Sequence, residues 1–185
     1  MAPLQLRDDG SKLRSQLPLF GARARATRPL LQHRRADGLL KRLERCLLRF
    51  PELDGHAITV GITRSADGIA VIEDMIIRFD LRRRLPSHYT VAHELTHLLQ
   101  GLGLVPYGEV QCDIWTLARD PLFLDEEPCY LPLPPALRRD WSRAGAPVAT
   151  LCSRAIDRRP HHRTYLRWLK SELEGLASRG PQSSQ

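Results

Sequence analysis

The residues most able to do chemistry stand in the order His93-Glu94-Leu95-Thr96-His97. On an α-helix, residues four apart lie one turn above each other on one face. Both imidazoles can therefore reach a single metal ion while the Glu94 carboxylate stands beside them without having to bind it. The neighbouring Val91, Ala92, Leu95, Leu98 and Leu99 are apolar and follow a β-rich segment, the pattern of a buried helix packed under a sheet.

Two imidazoles leave a catalytic zinc site incomplete, because such sites usually take three protein ligands and keep a fourth position open. Glu109 is the best third ligand. It lies twelve residues beyond His97, after a glycine-containing turn, and opens a helix able to return antiparallel to the first. Asp113, one turn further on the same face, is placed to accept the free ring N–H of a ligating histidine and fix its tautomer. Cys112 between them reads as a half-buried thiol, with a zinc-bound thiolate as the alternative.

The elements that must position these groups follow from periodicity. An amphipathic helix runs from Asp37, with Leu39, Leu40, Leu43, Cys46, Leu47 and Phe50 on one face, to a stop at Pro51. Alternation over His56 to Thr63 and the apolar run Ile69 to Phe79, divided by Glu73-Asp74, predict short strands around a turn at Arg64 to Gly68. Pro86-Ser87 starts the motif helix, Tyr89 to Gln100, which ends at Gly101 and Gly103. A second helix covers Glu109 to Arg119. A Pro-rich connection follows, in which Asp125-Glu126-Glu127 reads as a solvated loop, with intramolecular binding of the basic tail as the alternative. Helices near Pro135 to Ala144, Pro147 to Ile156 and His162 to Ala177 complete the chain. The sum is an α+β fold: a small, mostly antiparallel sheet packed on the motif helix, with further C-terminal helices.

H-E-L-T-H followed by Glu109-x-x-x-Asp113 resembles the gluzincin branch of zinc metallopeptidases, the thermolysin-like arrangement, in a compact form like that of the minigluzincins. The match covers about residues 56 to 119. A metzincin extension fits worse, since it wants Gly at 100 and His at 103 where this chain has Gln100 and Gly103. The resemblance implies Zn2+ held by His93, His97 and Glu109, with Asp113 behind them, and hydrolysis of a peptide bond by a metal-activated water. Glu94 would be the general base. A peptide or protein substrate would add a strand to the edge ending near Phe79. The family also stabilises the oxyanion with Tyr, His or Arg; Tyr107, between the second His and Glu109, is the first candidate, and Tyr130, His161 and His162 are weaker ones.

Composition bounds the rest. The 185 residues carry 28 Lys+Arg against 21 Asp+Glu, a formal net charge of +7, and 42% are hydrophobic, enough for one ordinary core. Residues 1–35 hold eight basic side chains against Asp8 and Asp9, which leaves 20 basic and 19 acidic residues in the other 150. This predicts a basic, disordered tail over 1–35, a metallopeptidase-like domain over 36–178 and a disordered end over 179–185. The tail's charge suits weak nucleic-acid binding, and the alternative to an enzyme is a nucleic-acid-associated protein using that tail, its zinc site structural or non-catalytic. Arg82 to Arg84 and the arginines from Arg154 to Arg167 read as solvated faces, with an anion site as the alternative. Four cysteines without a C-x-x-C pair read as reduced thiols in a cytoplasmic protein, and no apolar run of spanning length points to a membrane.

Overall fold

The computed structural model describes residues 16–19 and 22–179. Five strands, β1 (Gln16–Leu19), β2 (Ala22–Ala26), β3 (Ala57–Ile62), β4 (Gly68–Val71) and β5 (Ile76–Phe79), form one sheet in the order β1-β2-β3-β5-β4. Helices α1 (Arg28–Leu31) and α2 (Ala36–Leu47) join β2 to β3. After the sheet come α3 (His88–Gly101), α4 (Glu109–Arg119), α5 (Pro135–Arg139), α6 (Trp141–Arg158) and α7 (Tyr165–Arg179). The fold is α+β, with a small sheet and C-terminal helices.

The sheet is mixed. β1/β2 and β5/β4 pair antiparallel, whereas β2/β3 and β3/β5 pair parallel. The α1–α2 crossover supplies the long return that a parallel β2/β3 pair requires. β5 re-enters between β3 and β4 and so lies parallel to β3. This corrects two expectations: the sheet is not mostly antiparallel, and the strand ending at Phe79 is internal, leaving β4 as the edge on that side, with β1 at the other.

The expected basic tail also ends earlier than residue 35. Residues 22–26 read Ala-Arg-Ala-Arg-Ala, a period-two strand in which Ala24 is buried and Arg25 exposed. β2 pairs with β3 in register Ala24↔Ile58, and Leu30 is fully buried. Arg35 donates to the carbonyls of Leu81 and Arg83, so part of the basic charge anchors the domain. Residues 1–15 and the end 180–185 lie outside the described residues, while Arg179 belongs to α7.

Two apolar clusters meet at α3. One holds the sheet, α2 and the Val91, Leu95 and Leu98 side of α3. The other joins α4, α6 and α7 to Tyr89, and the half-buried Trp115 touches both. A helix enclosed on most of its surface has little freedom to tilt, which suits it to hold ligands. Thr96 and Thr116 link α3 to α4 with a buried hydroxyl pair 2.9 Å apart. α6 contains Pro147, which sequence reading takes for a helix start; the break falls at Asp140, and the carbonyl that Pro147 leaves unbonded belongs to the exposed Arg143.

Candidate metal centre

Each helix brings its candidate ligands for a local reason. Ser87 caps α3, accepting from Thr90 N, and the following turn is held by the Pro-rich connection. Asp125 accepts from the backbone N–H groups of His88 and Tyr89 at 2.9 and 3.0 Å, and Glu126 accepts from the hydroxyls of Ser87 and Thr90 at 2.5 and 3.0 Å. The acidic loop is thus an N-terminal cap for the motif helix, and not the solvated stretch expected, because only a fold-level return brings it there. Ser87, Arg84 and Thr90 hold the Glu126 carboxyl below its usual range against the opposing effect of burial. α4 starts at Gly108, whose φ of 111° needs a glycine and turns the chain so that Glu109 faces α3.

His93 Nε2, His97 Nε2 and Glu109 Oε2 form a triangle with all three edges at 3.2 Å. A tetrahedral ion with bonds of about 2.0–2.1 Å keeps its ligands about 3.3 Å apart, so this is the size of a three-ligand zinc face. His93 and Glu94 are each 6% exposed, whereas the Glu109 side chain is 48% exposed and marks the open side. A second donor set exists: Cys112 Sγ lies within 4.8 Å of a ring nitrogen of both histidines. Its thiol is fully buried and donates to His93 O at 3.1 Å, and burial raises its pKa well above the usual thiol value. Glu109 Oε2 stands 3.2 Å from both ring nitrogens, the spacing of zinc ligands, whereas the Cys112 thiol is engaged with backbone, so Glu109 is the better third donor.

Both imidazoles are aimed from behind. His93 Nδ1 lies 2.9 Å from Asp113 Oδ1, and the fully buried Asp113 also accepts from Tyr89 Oη and from the backbone N–H groups of Tyr130 and Leu131 at 2.7 and 2.6 Å. Burial alone would lower the His93 pKa, but the hydrogen bond and charge of Asp113 outweigh it and raise the value. His97 Nδ1 donates to Gln100 Oε1 at 2.7 Å, and the Gln100 amide donates to the carbonyls of Pro106 and Gly108. Each ring is thereby held in the tautomer that leaves Nε2 free to bind. Gln100 and Tyr89 were legible as helical neighbours of the histidines, three residues after His97 and four before His93, yet sequence reading alone assigns them no role.

Glu94 faces a cleft that runs past the triangle. One part, about 320 Å³, is lined by Gly68, Ile69, Ala70, Ile72, His93, Glu94, His97, Glu109 and Tyr130. The other, about 290 Å³, continues along Asp67, Thr90, Glu126, Glu127, Cys129 and Tyr130. Gly68 on β4 approaches so closely that a Cβ there would collide with the Glu94 carboxylate. Burial first, then repulsion from Glu109, push Glu94 up to about 7 against the attraction of His93.

Tyr107 is 70% exposed on the α3–α4 loop and lines neither part of the cleft, and His161 and His162 are exposed between α6 and α7. Tyr130 does line both parts, stacked on His93 with ring centroids 5.7 Å apart. Nothing in the sequence pairs a residue of the Pro-rich connection with a histidine 37 positions earlier; only the fold does so. No family model, curated protein or solved structure matches the chain.

Proposed function

We propose that this chain is a zinc-dependent metallopeptidase of gluzincin type that hydrolyses peptide bonds in an extended segment of a peptide or protein. The observation that carries the reading is the 3.2 Å triangle of His93, His97 and Glu109 donor atoms with a cleft on its open side. Zinc bound there supplies Lewis acidity, polarising a carbonyl and lowering the pKa of a water.

The chain's own groups supply the rest. Glu94, pushed up to about 7, takes a proton from the attacking water and passes it to the leaving amine. Asp113 and Gln100 hold the two imidazoles by their Nδ1 sides. Tyr130, on the cleft wall, takes the role expected of Tyr107 and donates its hydroxyl to the carbonyl oxygen as negative charge builds. β4, the sheet edge beside Glu94, offers backbone groups to an extended substrate, the part first expected of the strand ending near Phe79.

The test is zinc analysis and cleavage of a denatured protein substrate by wild type, Glu94→Gln and Glu109→Ala. Glu94→Gln should keep zinc and lose cleavage by at least about a hundredfold, the scale of a general base; Glu109→Ala should lose both. Wild-type cleavage in Glu94→Gln, or full zinc binding in Glu109→Ala, overturns the proposal.

A further inference from the structure

Outside residues 1–35 the chain is almost charge-balanced, but the balance is not spread evenly. The last turns of α6, the α6–α7 loop and the first turns of α7 carry Arg154, Arg158, Arg159, Arg163, Arg167 and Lys170, with Asp157 as the one carboxylate over residues 151–170. All of these cations are exposed except Arg158, which is half-buried. Among the described residues no carboxylate stands within 4.0 Å of the five guanidinium groups, while Lys170 pairs with Glu174 at 3.9 Å.

The arrangement is partly fixed in place. Arg154 and Arg158 both lie over the Trp168 ring, 5.3 and 4.6 Å from its centroid, and Arg158 Nε is buried without a hydrogen-bond partner. Two guanidinium groups on one indole repel each other, and cation–π contact offsets only about 0.5–1 kcal/mol for each at an exposed site. A shared anion would relieve that repulsion. Among the described residues the Glu94 cleft is lined by no Lys or Arg, and the patch shares no lining residue with it.

We propose that the α6–α7 hairpin is a binding surface for the phosphate backbone of duplex nucleic acid. Residues four apart on a helix stand about 6 Å apart along its axis, so Arg154 and Arg158 on α6 form a cation pair, and Arg163 in the loop and Arg167 on α7 add two exposed cations, facing a polymer with a charge every 3.4 Å on each strand. Guanidinium forks suit phosphate oxygens better than ammonium groups do. Leu166 is the one large apolar residue exposed on this stretch; it borders an apolar groove of about 460 Å³ whose other leucines, Leu131, Leu169 and Leu173, are buried, so the exposed surface is cationic rather than apolar. The inference does not depend on the metal site being catalytic.

The experiment is fluorescence anisotropy of a labelled 24-bp mixed-sequence duplex with the full zinc-loaded chain over about 50–200 mM salt. It compares wild type with the triple variant Arg159→Gln, Arg163→Gln, Arg167→Gln, three exposed positions other than the two arginines that lie over the Trp168 ring. Binding should weaken at least about tenfold in the variant at low salt, and the slope of log K against log salt should become shallower by about 0.9 for each phosphate no longer neutralised. Should the triple variant fail to fold, Arg163→Gln alone, in the loop between the helices, should lower the slope by about 0.9. No duplex binding by wild type overturns the proposal. So does an unchanged slope in the variants, which would place the binding on the N-terminal basic residues. Equal displacement by polyglutamate of matched charge also overturns it, in favour of an acidic protein partner.

Discussion

His93 and His97 differ in what stands behind them: a buried carboxylate for the first and a neutral amide for the second. Asp113 therefore both aims His93 and adds negative charge to the site. Asp113→Ala should lower zinc affinity about 10–100-fold, the usual cost of losing such support, as read by competition with a chromophoric chelator. The same carboxylate sets a pH dependence. In the metal-free chain His93 titrates above its ordinary 6.5 and Glu94 at about 7 instead of 4.5. Both folded-state values are raised, so both groups favour the folded state at low pH and lose that contribution as pH rises through their folded values. Zinc bound at the proposed site would have to displace the His93 proton. From pH 6 to pH 8 the Tm of the chelator-treated protein should fall while zinc affinity rises, which scanning calorimetry and titration calorimetry would measure.

The elements matter through their ends and edges. α3 is capped not by its own sequence alone but by Asp125 and Glu126 from the far side of α4. β4 is useful because it is an edge strand and because Gly68 has no side chain to meet Glu94. Gly68→Ala should leave the zinc content intact, since the atoms nearest the added Cβ all belong to Glu94, and reduce cleavage at least tenfold by displacing the Glu94 carboxylate. Zinc analysis beside a peptide assay checks this; loss of zinc together with activity would mean that the substitution disturbs α3 as a whole. Helix positions were readable to within a few residues from apolar spacing, as for α2 and α4. β2 was not, because alternating Ala and Arg looks like a charge-rich tail until pairing with β3 supplies the buried face.

At the scale of the molecule, two apolar clusters are joined across α3 and α4, and the candidate ligands come from both helices. Zinc held there would be a cross-link between them. At a free concentration about a hundredfold above Kd it should add about 2.7 kcal/mol, about 5–10 °C in Tm for a chain of this size, and a chelator should remove that increment in a thermal melt. Among the described residues no helix is long and apolar enough to cross a membrane. All four cysteines are free, and burial pushes Cys46 and Cys152 up to about 12, which suits packing rather than reaction.

The sequence by itself determined the candidate ligand pair, the adjacent carboxylate and the Glu109–Asp113 spacing, because each is a property of a single helix turn and needs nothing beyond it. It also determined the α+β class, through periodicity. Only the tertiary structure decided that three donor atoms from two helices meet at 3.2 Å, that Tyr130 rather than Tyr107 lines the cleft, that β4 is the edge and that Asp125 caps α3. Each of these joins segments far apart in the chain, and such pairings are selected by packing the whole core rather than by any local pattern.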